Sequence, residues 1–130
     1  MIWDTTFAID LMNKDEKAIQ KLKEIVSMGE TQKTTVITIH ELSRGIARSN
    51  KPEIEKNKMK ELLKDQFVVE FDEKSAERSG ELEGALIKEG NRIDAIDCMI
   101  AGIALTRNEK LITRNQKDFG KIQGLELVTY

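Results

Sequence analysis

The distribution of apolar and polar residues predicts strands and helices in alternation along the chain. Five short apolar or β-branched runs predict strands, at residues 1–3, 33–39, 67–71, 110–113 and 125–128. Apolar residues at helical spacing between these runs predict helices. Because this alternation requires crossover connections, we predict a single α/β domain over residues 1–130 with three layers and a mainly parallel central sheet of about five strands.

The most apolar predicted helix, residues 91–104, carries two carboxylates near its start. Its isoleucines recur at helical spacing, so one face should be buried. Asp94 and Asp97 have two interpretations. They cap the helix and complement its dipole, or they belong to a functional site. These residues alone leave both interpretations open.

Other polar groups follow the predicted strands. Asp4 comes directly after strand one, Glu41 after strand two, and Asn115 and Asp118 after strand four. In an open parallel sheet, ligands bind beyond the carboxyl ends of the strands. If strands one, two and four lie near the centre of the sheet, we expect these groups to converge with the Asp94 and Asp97 pair on one cleft.

Several carboxylates without counter-charge repel one another, and a divalent cation relieves that repulsion. Oxygen donors suit Mg²⁺ or Mn²⁺, whereas zinc prefers His and Cys. The chain has one His and one Cys, which cannot form a usual structural zinc site. We interpret His40 as a surface or hydrogen-bonded residue and Cys98 as a packing residue.

Composition narrows the classes of function further. Charged residues make up 34% of the chain, yet the formal net charge is -2, which argues against non-specific coating of nucleic acid. A basic rim around an acidic centre remains compatible with that charge. Because no signal peptide and no apolar run of membrane-spanning length is present, we expect a cytoplasmic protein without membrane association. Phosphate-binding glycine loops are also missing.

Four motifs together resemble those of PIN-domain ribonucleases, and in particular compact VapC-type toxins of prokaryotic toxin–antitoxin pairs. The motifs span residues 2–6, 38–45, 97–102 and 111–119. The resemblance implies that Asp4, Glu41 and Asp97 are catalytic, metal-binding acids. It also implies a fourth ligand from residues 113–118, where Asn115 stands at a position that is Asp in many relatives. We favour Asp118 over Asn115 as that ligand, because the amide adds no negative charge.

The resemblance also implies a function. It predicts a Mg²⁺- or Mn²⁺-dependent endoribonuclease that acts as a toxin on RNA, binds a cognate antitoxin and forms a homodimer. The expected supporting residues are Thr6, Asp94 and Thr113. The candidate contacts for RNA phosphates are Arg44, Arg48, Lys51, Arg92 and Arg114. The alternative is a non-catalytic PIN-like module that binds RNA or a protein partner.

Overall fold

The computed structural model describes all residues, 1–130, as five strands and seven helices. In chain order they are β1 (Ile2–Trp3), α1 (Thr5–Met12), α2 (Glu16–Ser27), β2 (Lys33–Thr35), α3 (Val36–Ala47), α4 (Pro52–Leu63), β3 (Phe67–Val69), α5 (Glu73–Lys88), α6 (Ala95–Thr106), β4 (Leu111–Ile112), α7 (Gln116–Phe119) and β5 (Leu127–Val128).

All five strands are parallel, and their order in the sheet is β3-β2-β1-β4-β5. β1 is therefore central, with β2 on one side and β4 on the other. The carboxyl ends of these three strands meet at one edge of the sheet. The predicted parallel α/β fold is confirmed, and so is the central place of strands one, two and four.

Two apolar clusters hold the layers together. One cluster contains α6 residues such as Ile100 and Ile103, packed with residues of α5. The other contains Trp3, Phe7 and Leu42. In this second cluster, the Trp3 and Phe7 rings meet edge to face with their centroids 5.3 Å apart.

Gly102 allows α6 to approach α5 closely. A Cβ atom at this position would lie 2.8 Å from the backbone oxygen of Ser75 and 3.0 Å from the Cβ of Ser79. No side chain fits there without moving the helices apart. The approach therefore fixes α6, which carries Asp97, relative to the rest of the domain.

The predicted second strand was too long. The β-branched residues 36–39 belong to α3, and β2 ends at Thr35. The Thr35 hydroxyl accepts a hydrogen bond from the Thr38 amide at 3.1 Å, which caps the helix. Because this cap and the burial of Thr38 outweigh strand propensity, Glu41 lies in the second turn of a helix and not at the end of a strand.

Other predicted boundaries also change: β3 ends at Val69 instead of residue 71, and β5 begins at Leu127 instead of residue 125. The first helix begins at Thr5, because Asp4 caps it, instead of near Phe7. The central helix begins at Ala95, with Asp94 as its N-cap, instead of near residue 91. None of the seven helices is both long and apolar enough to cross a membrane.

Candidate active site

Asp4 lies at the carboxyl end of β1 and is 2% exposed. Its Oδ1 atom accepts a hydrogen bond from the Thr5 amide at 2.7 Å. Its Oδ2 atom accepts from the hydroxyls of Thr6 and Thr113, both at 2.7 Å. Burial raises the pKa of Asp4, although these hydrogen bonds act in the opposite direction. The carboxylate is therefore held by the first residues of α1 and by Thr113, the residue directly after β4.

Glu41 reaches the same region from α3. Its Oε1 atom accepts a hydrogen bond from the Thr5 hydroxyl at 2.5 Å, and that hydroxyl also lies 3.0 Å from the Thr38 hydroxyl. Its Oε2 atom lies 3.6 Å from Nη2 of Arg44. Thr5 and Thr38 are buried and were missed from the sequence. The available signal was their position, since Thr5 follows Asp4 and Thr38 precedes Glu41 by one helical turn.

Asp97 is the residue whose carboxyl group is affected by all the other acids of the cleft. It lies in the first turn of α6, and its pKa is raised to about 7. Burial is the main cause, followed by the negative charges of Asp4, Asp94, Glu41 and Asp118. The carboxylates from four separate segments therefore act on one another in a single cleft.

Of the two interpretations of the Asp94 and Asp97 pair, the capping role applies to Asp94 and the functional site applies to Asp97. Asp94 is exposed, and its Oδ1 accepts a hydrogen bond from the Ile96 amide at 2.9 Å, as an N-cap does. Asp97 is half-buried and faces the charges of the cleft. Asp94 is thus a capping residue whose charge also reaches the cleft.

The fourth motif places Asn115 and Asp118 in direct contact. Asn115 caps α7: its Oδ1 accepts a hydrogen bond from the Asp118 amide at 3.4 Å, and its Nδ2 donates to Oδ2 of Asp118 at 3.2 Å. The backbone amide of Asn115 donates to the Thr113 hydroxyl at 2.9 Å. Both ends of the Asn115 side chain are therefore engaged, and the Asp118 carboxylate supplies the negative charge near Asp97.

The structure does not bring all the candidate cations to the acids. Arg44 contacts Glu41, and Arg114 follows Thr113 directly. Arg48 and Arg92 are exposed and form no ion pair. Arg48 lies one turn beyond Arg44, and Arg92 lies two residues before Asp94. Lys51 is likewise exposed, at the start of α4.

The donor set of the cleft consists of carboxylate, amide and hydroxyl oxygens, which are the donors that a hard divalent cation prefers. No three His, Cys, Asp or Glu side chains form a ready-made metal cluster. His40 is exposed. Cys98 is fully buried, and burial raises the pKa of its thiol to about 11, so it remains a neutral packing group at pH 7.

The family model for the PIN domain matches residues 1–125. The chain therefore belongs to the PIN domain family, and the resemblance seen in its four motifs is confirmed.

Individual relatives place the chain within that family. It is similar to Ribonuclease VapC2 of Rickettsia felis, with 29% identity over 124 residues, covering 95% of this chain and 92% of the relative. It is 28% identical over 89 residues to the tRNA(fMet)-specific endonuclease VapC of Shigella flexneri, covering 68% of this chain and 67% of the relative.

A solved structure shows the same fold. The crystal structure of VapBC2 from Rickettsia felis, bound to a DNA fragment from their promoter, contains a chain that superposes with a TM-score of 0.91 and 28% identity. The alignment covers 100% of this chain and 99% of that one. The similarity therefore extends over the whole domain, including all four motifs.

Proposed function

We propose that this chain is a divalent-metal-dependent endoribonuclease and the toxin of a toxin–antitoxin pair. One observation carries the proposal: burial, together with the negative charges of Asp4, Asp94, Glu41 and Asp118, raises the pKa of Asp97 to about 7. Mutual repulsion within such a group of acids favours a bound cation. The similarity to VapC ribonucleases over almost the whole chain supports RNA as the substrate.

The proposed metal ligands are Asp4, Glu41, Asp97 and Asp118. Their hard oxygen atoms and combined negative charge fit Mg²⁺ or Mn²⁺. When bound, the cation supplies the charge that polarises the phosphodiester and lowers the pKa of the attacking water. We assign the catalytic role to Asp4, Glu41 and Asp97, whose charges act together in the cleft.

The neighbouring polar residues hold these acids in place. Thr6 and Thr113 donate to the same oxygen of Asp4, which leaves that carboxylate few ways to rotate. The Thr5 hydroxyl donates to Glu41, and the Thr38 hydroxyl holds Thr5 in place through a hydrogen bond between the two hydroxyls. Asn115 contributes by binding Asp118 through its side-chain amide, so we propose it as a supporting residue instead of the fourth ligand. Pre-positioned ligands need less rearrangement when the cation binds.

Arginines around the acids would bind the RNA phosphates. Arg44 contacts Glu41 and Arg114 follows Thr113, so both lie beside the cleft, and we propose the exposed Arg48 and Arg92 as further phosphate contacts. Phosphate contacts of this kind position a nucleic acid without reading its sequence. A rim of arginines therefore places the RNA backbone over an acidic centre that would otherwise repel it.

We further propose an antitoxin as the protein partner and the cytoplasm as the site of action. A relative with the same fold was solved as a VapBC2 assembly on promoter DNA. We also propose a homodimer. Several apolar side chains between Ile19 and Met59 are more than half exposed and are available for association, namely those of Val26, Met28 and Ile54.

Cleavage of a fluorescent single-stranded RNA oligonucleotide tests the proposed activity. We expect cleavage by the parent protein with Mg²⁺ or Mn²⁺, none after treatment with a chelator, and none by Asp97→Asn in either condition. Expression of the parent in a bacterial host should arrest growth, and Asp97→Asn should relieve that arrest. RNA binding in chelator without metal-dependent cleavage would instead identify a non-catalytic module.

A further inference from the structure

The carboxylate of Asp10 has no role in the proposed metal site, yet it is buried. Asp10 lies in α1, and its side chain is 9% exposed. Its Oδ2 atom accepts a hydrogen bond from the Tyr130 phenol at 2.6 Å and lies 3.1 Å from Nη1 of Arg114. A buried carboxylate requires such partners, and Arg114 is its only cationic one.

This group of three side chains, Asp10, Arg114 and Tyr130, adjoins the acidic cleft. Arg114 lies between Thr113, which donates to Asp4, and Asn115, which binds Asp118. The Thr6 hydroxyl, which donates to Asp4, lies close enough to the Tyr130 phenol to influence its pKa. The three side chains therefore adjoin the residues that hold the proposed metal ligands.

The geometry fixes one end of Arg114 and leaves the rest of the guanidinium accessible. Its side chain is 56% exposed, and only Nη1 contacts Asp10. Since a guanidinium has five N–H donors in a rigid plane, the others remain free for an anion. Tyr130 is itself fixed, because its ring packs against Phe7 with the centroids 5.0 Å apart.

We propose that Asp10 and Tyr130 are positioning residues that hold the Arg114 guanidinium at the rim of the cleft, where it binds an RNA phosphate. This inference rests on the proposed function. Neither Asp10 nor Tyr130 touches the RNA. A long arginine side chain held in one orientation loses less conformational freedom when it binds a phosphate, and this strengthens the contact.

A role of Asp10 through its negative charge and a role in positioning Arg114 predict opposite effects of Asp10→Asn on RNA binding. If the carboxylate acted only through its charge, Asp10→Asn would make the rim more positive and would tighten RNA binding. If it positions Arg114, the same change weakens binding. Tyr130→Phe leaves every charge in place and removes only the phenol hydroxyl, so it tests positioning in a variant that keeps the ion pair between Asp10 and Arg114.

The test measures the affinity of a fluorescent single-stranded RNA oligonucleotide by anisotropy at several salt concentrations, together with kcat and KM for its cleavage. We expect Arg114→Gln to weaken binding about tenfold. The slope of log affinity against log salt should become shallower by about 0.7, the value for one phosphate contact to a single strand. Asp10→Asn should weaken binding about fivefold and Tyr130→Phe about twofold, with the loss in KM and not in kcat.

Two further comparisons separate positioning from a general structural effect. Asp10→Asn should add nothing in the Arg114→Gln background, because it acts only through that arginine. The matched controls are Arg78→Gln and Glu81→Gln, which break an arginine–carboxylate pair on α5, an element without a residue in the acidic cleft. These two variants should keep the parent's KM.

This inference is overturned if Asp10→Asn and Tyr130→Phe bind RNA as tightly as the parent or more tightly. The proposed function stands in that case, provided that the parent cleaves RNA and the Asp97→Asn variant does not. A parent that neither binds nor cleaves RNA overturns the proposed function and this inference with it. Additive losses in the double variant also contradict the positioning role.

Discussion

Replacing Asp97 by asparagine should stabilise the metal-free protein while it abolishes RNA cleavage. The pKa of this carboxyl is about 7 in the folded chain, compared with a usual value of 3.8. Burial is the main cause, and the charges of neighbouring acids add to it. Above pH 7 the folded protein therefore holds a carboxylate in an unfavourable place, and the asparagine of the variant would carry no charge there.

The size of the effect follows from the difference between the two pKa values. For a fully shielded group, a difference of this size corresponds to roughly 4 kcal/mol. Because Asp97 is only half-buried, solvent screening reduces the contribution, and we expect about 2 kcal/mol at pH 8. In a domain of this size, that raises the melting temperature by about 8 °C.

The dependence on pH has a definite sign. A carboxyl with a raised pKa in the folded state supports folding when it is protonated, below about pH 4, and loses that contribution as the pH rises through about 7. The stability difference between Asp97→Asn and the parent should therefore be near zero below about pH 4 and should reach its full size at pH 8. Urea unfolding of both proteins in chelator measures the difference directly.

Addition of Mn²⁺ should reverse the order of stability. A ligand that binds only the folded parent at 100 times its dissociation constant stabilises it by about 2.7 kcal/mol, whereas the variant lacks a proposed ligand and gains less. Asp72→Asn is the control for the loss of one negative charge. Hydrogen bonds from Ser75 lower the pKa of Asp72, so its carboxylate, unlike that of Asp97, is favoured in the folded protein. A metal-free Asp97→Asn variant that is less stable than the parent at pH 8 would refute the reasoning.

Other substitutions test the remaining parts of the site and the fold. In calorimetric Mn²⁺ titrations, Asp118→Asn should weaken binding and cleavage more than Asn115→Ala does, and Asn115→Asp should tighten binding of a second ion; the reverse ranking would make Asn115 the fourth ligand. Thr38→Val should lower cleavage about tenfold by releasing the hydroxyl pair beside Glu41, whereas Thr38→Ser should retain activity. Gly102→Ala should lower the free energy of unfolding by about 1–3 kcal/mol, since its Cβ has no room, while Gly80→Ala on open α5 surface should be stabilising. Light scattering at micromolar concentration should show a dimer, and a monomer would contradict that assignment.

The order of elements could be predicted from the sequence because, in almost every segment, the spacing of the apolar residues matches the helix or strand that the segment forms. The second strand was the main error. Residues 36–39 are β-branched and favour a strand locally, but the Thr35 cap and the buried contact between Thr38 and Thr5 stabilise a helix there. Local propensity does not contain such tertiary contacts, and they decide the outcome.

For the site, the sequence placed the acids in one cleft, and the resemblance named Thr6 and Thr113, which donate to Asp4, but Thr5 and Thr38 beside Glu41 were missed. Asp4, Glu41, Asp97 and Asp118 stood out because charge is unusual beside apolar segments. Hydroxyls such as that of Thr38 are common in any chain, so their role becomes visible only through distances. The same holds for contacts across the fold, since the pair formed by Asp10 and Tyr130 joins residues 120 positions apart.

The hydrogen bond from Thr113 to Asp4 joins residues 109 positions apart. On the ribosome, β1 is made well before its neighbour β4 and the Thr113 hydroxyl that fixes Asp4. A nascent chain therefore carries Asp4 and Glu41 without an assembled cleft until β4 and Thr113 have been made. We therefore expect a chain whose synthesis has not reached Thr113 to lack the assembled cleft that the proposed RNA cleavage requires.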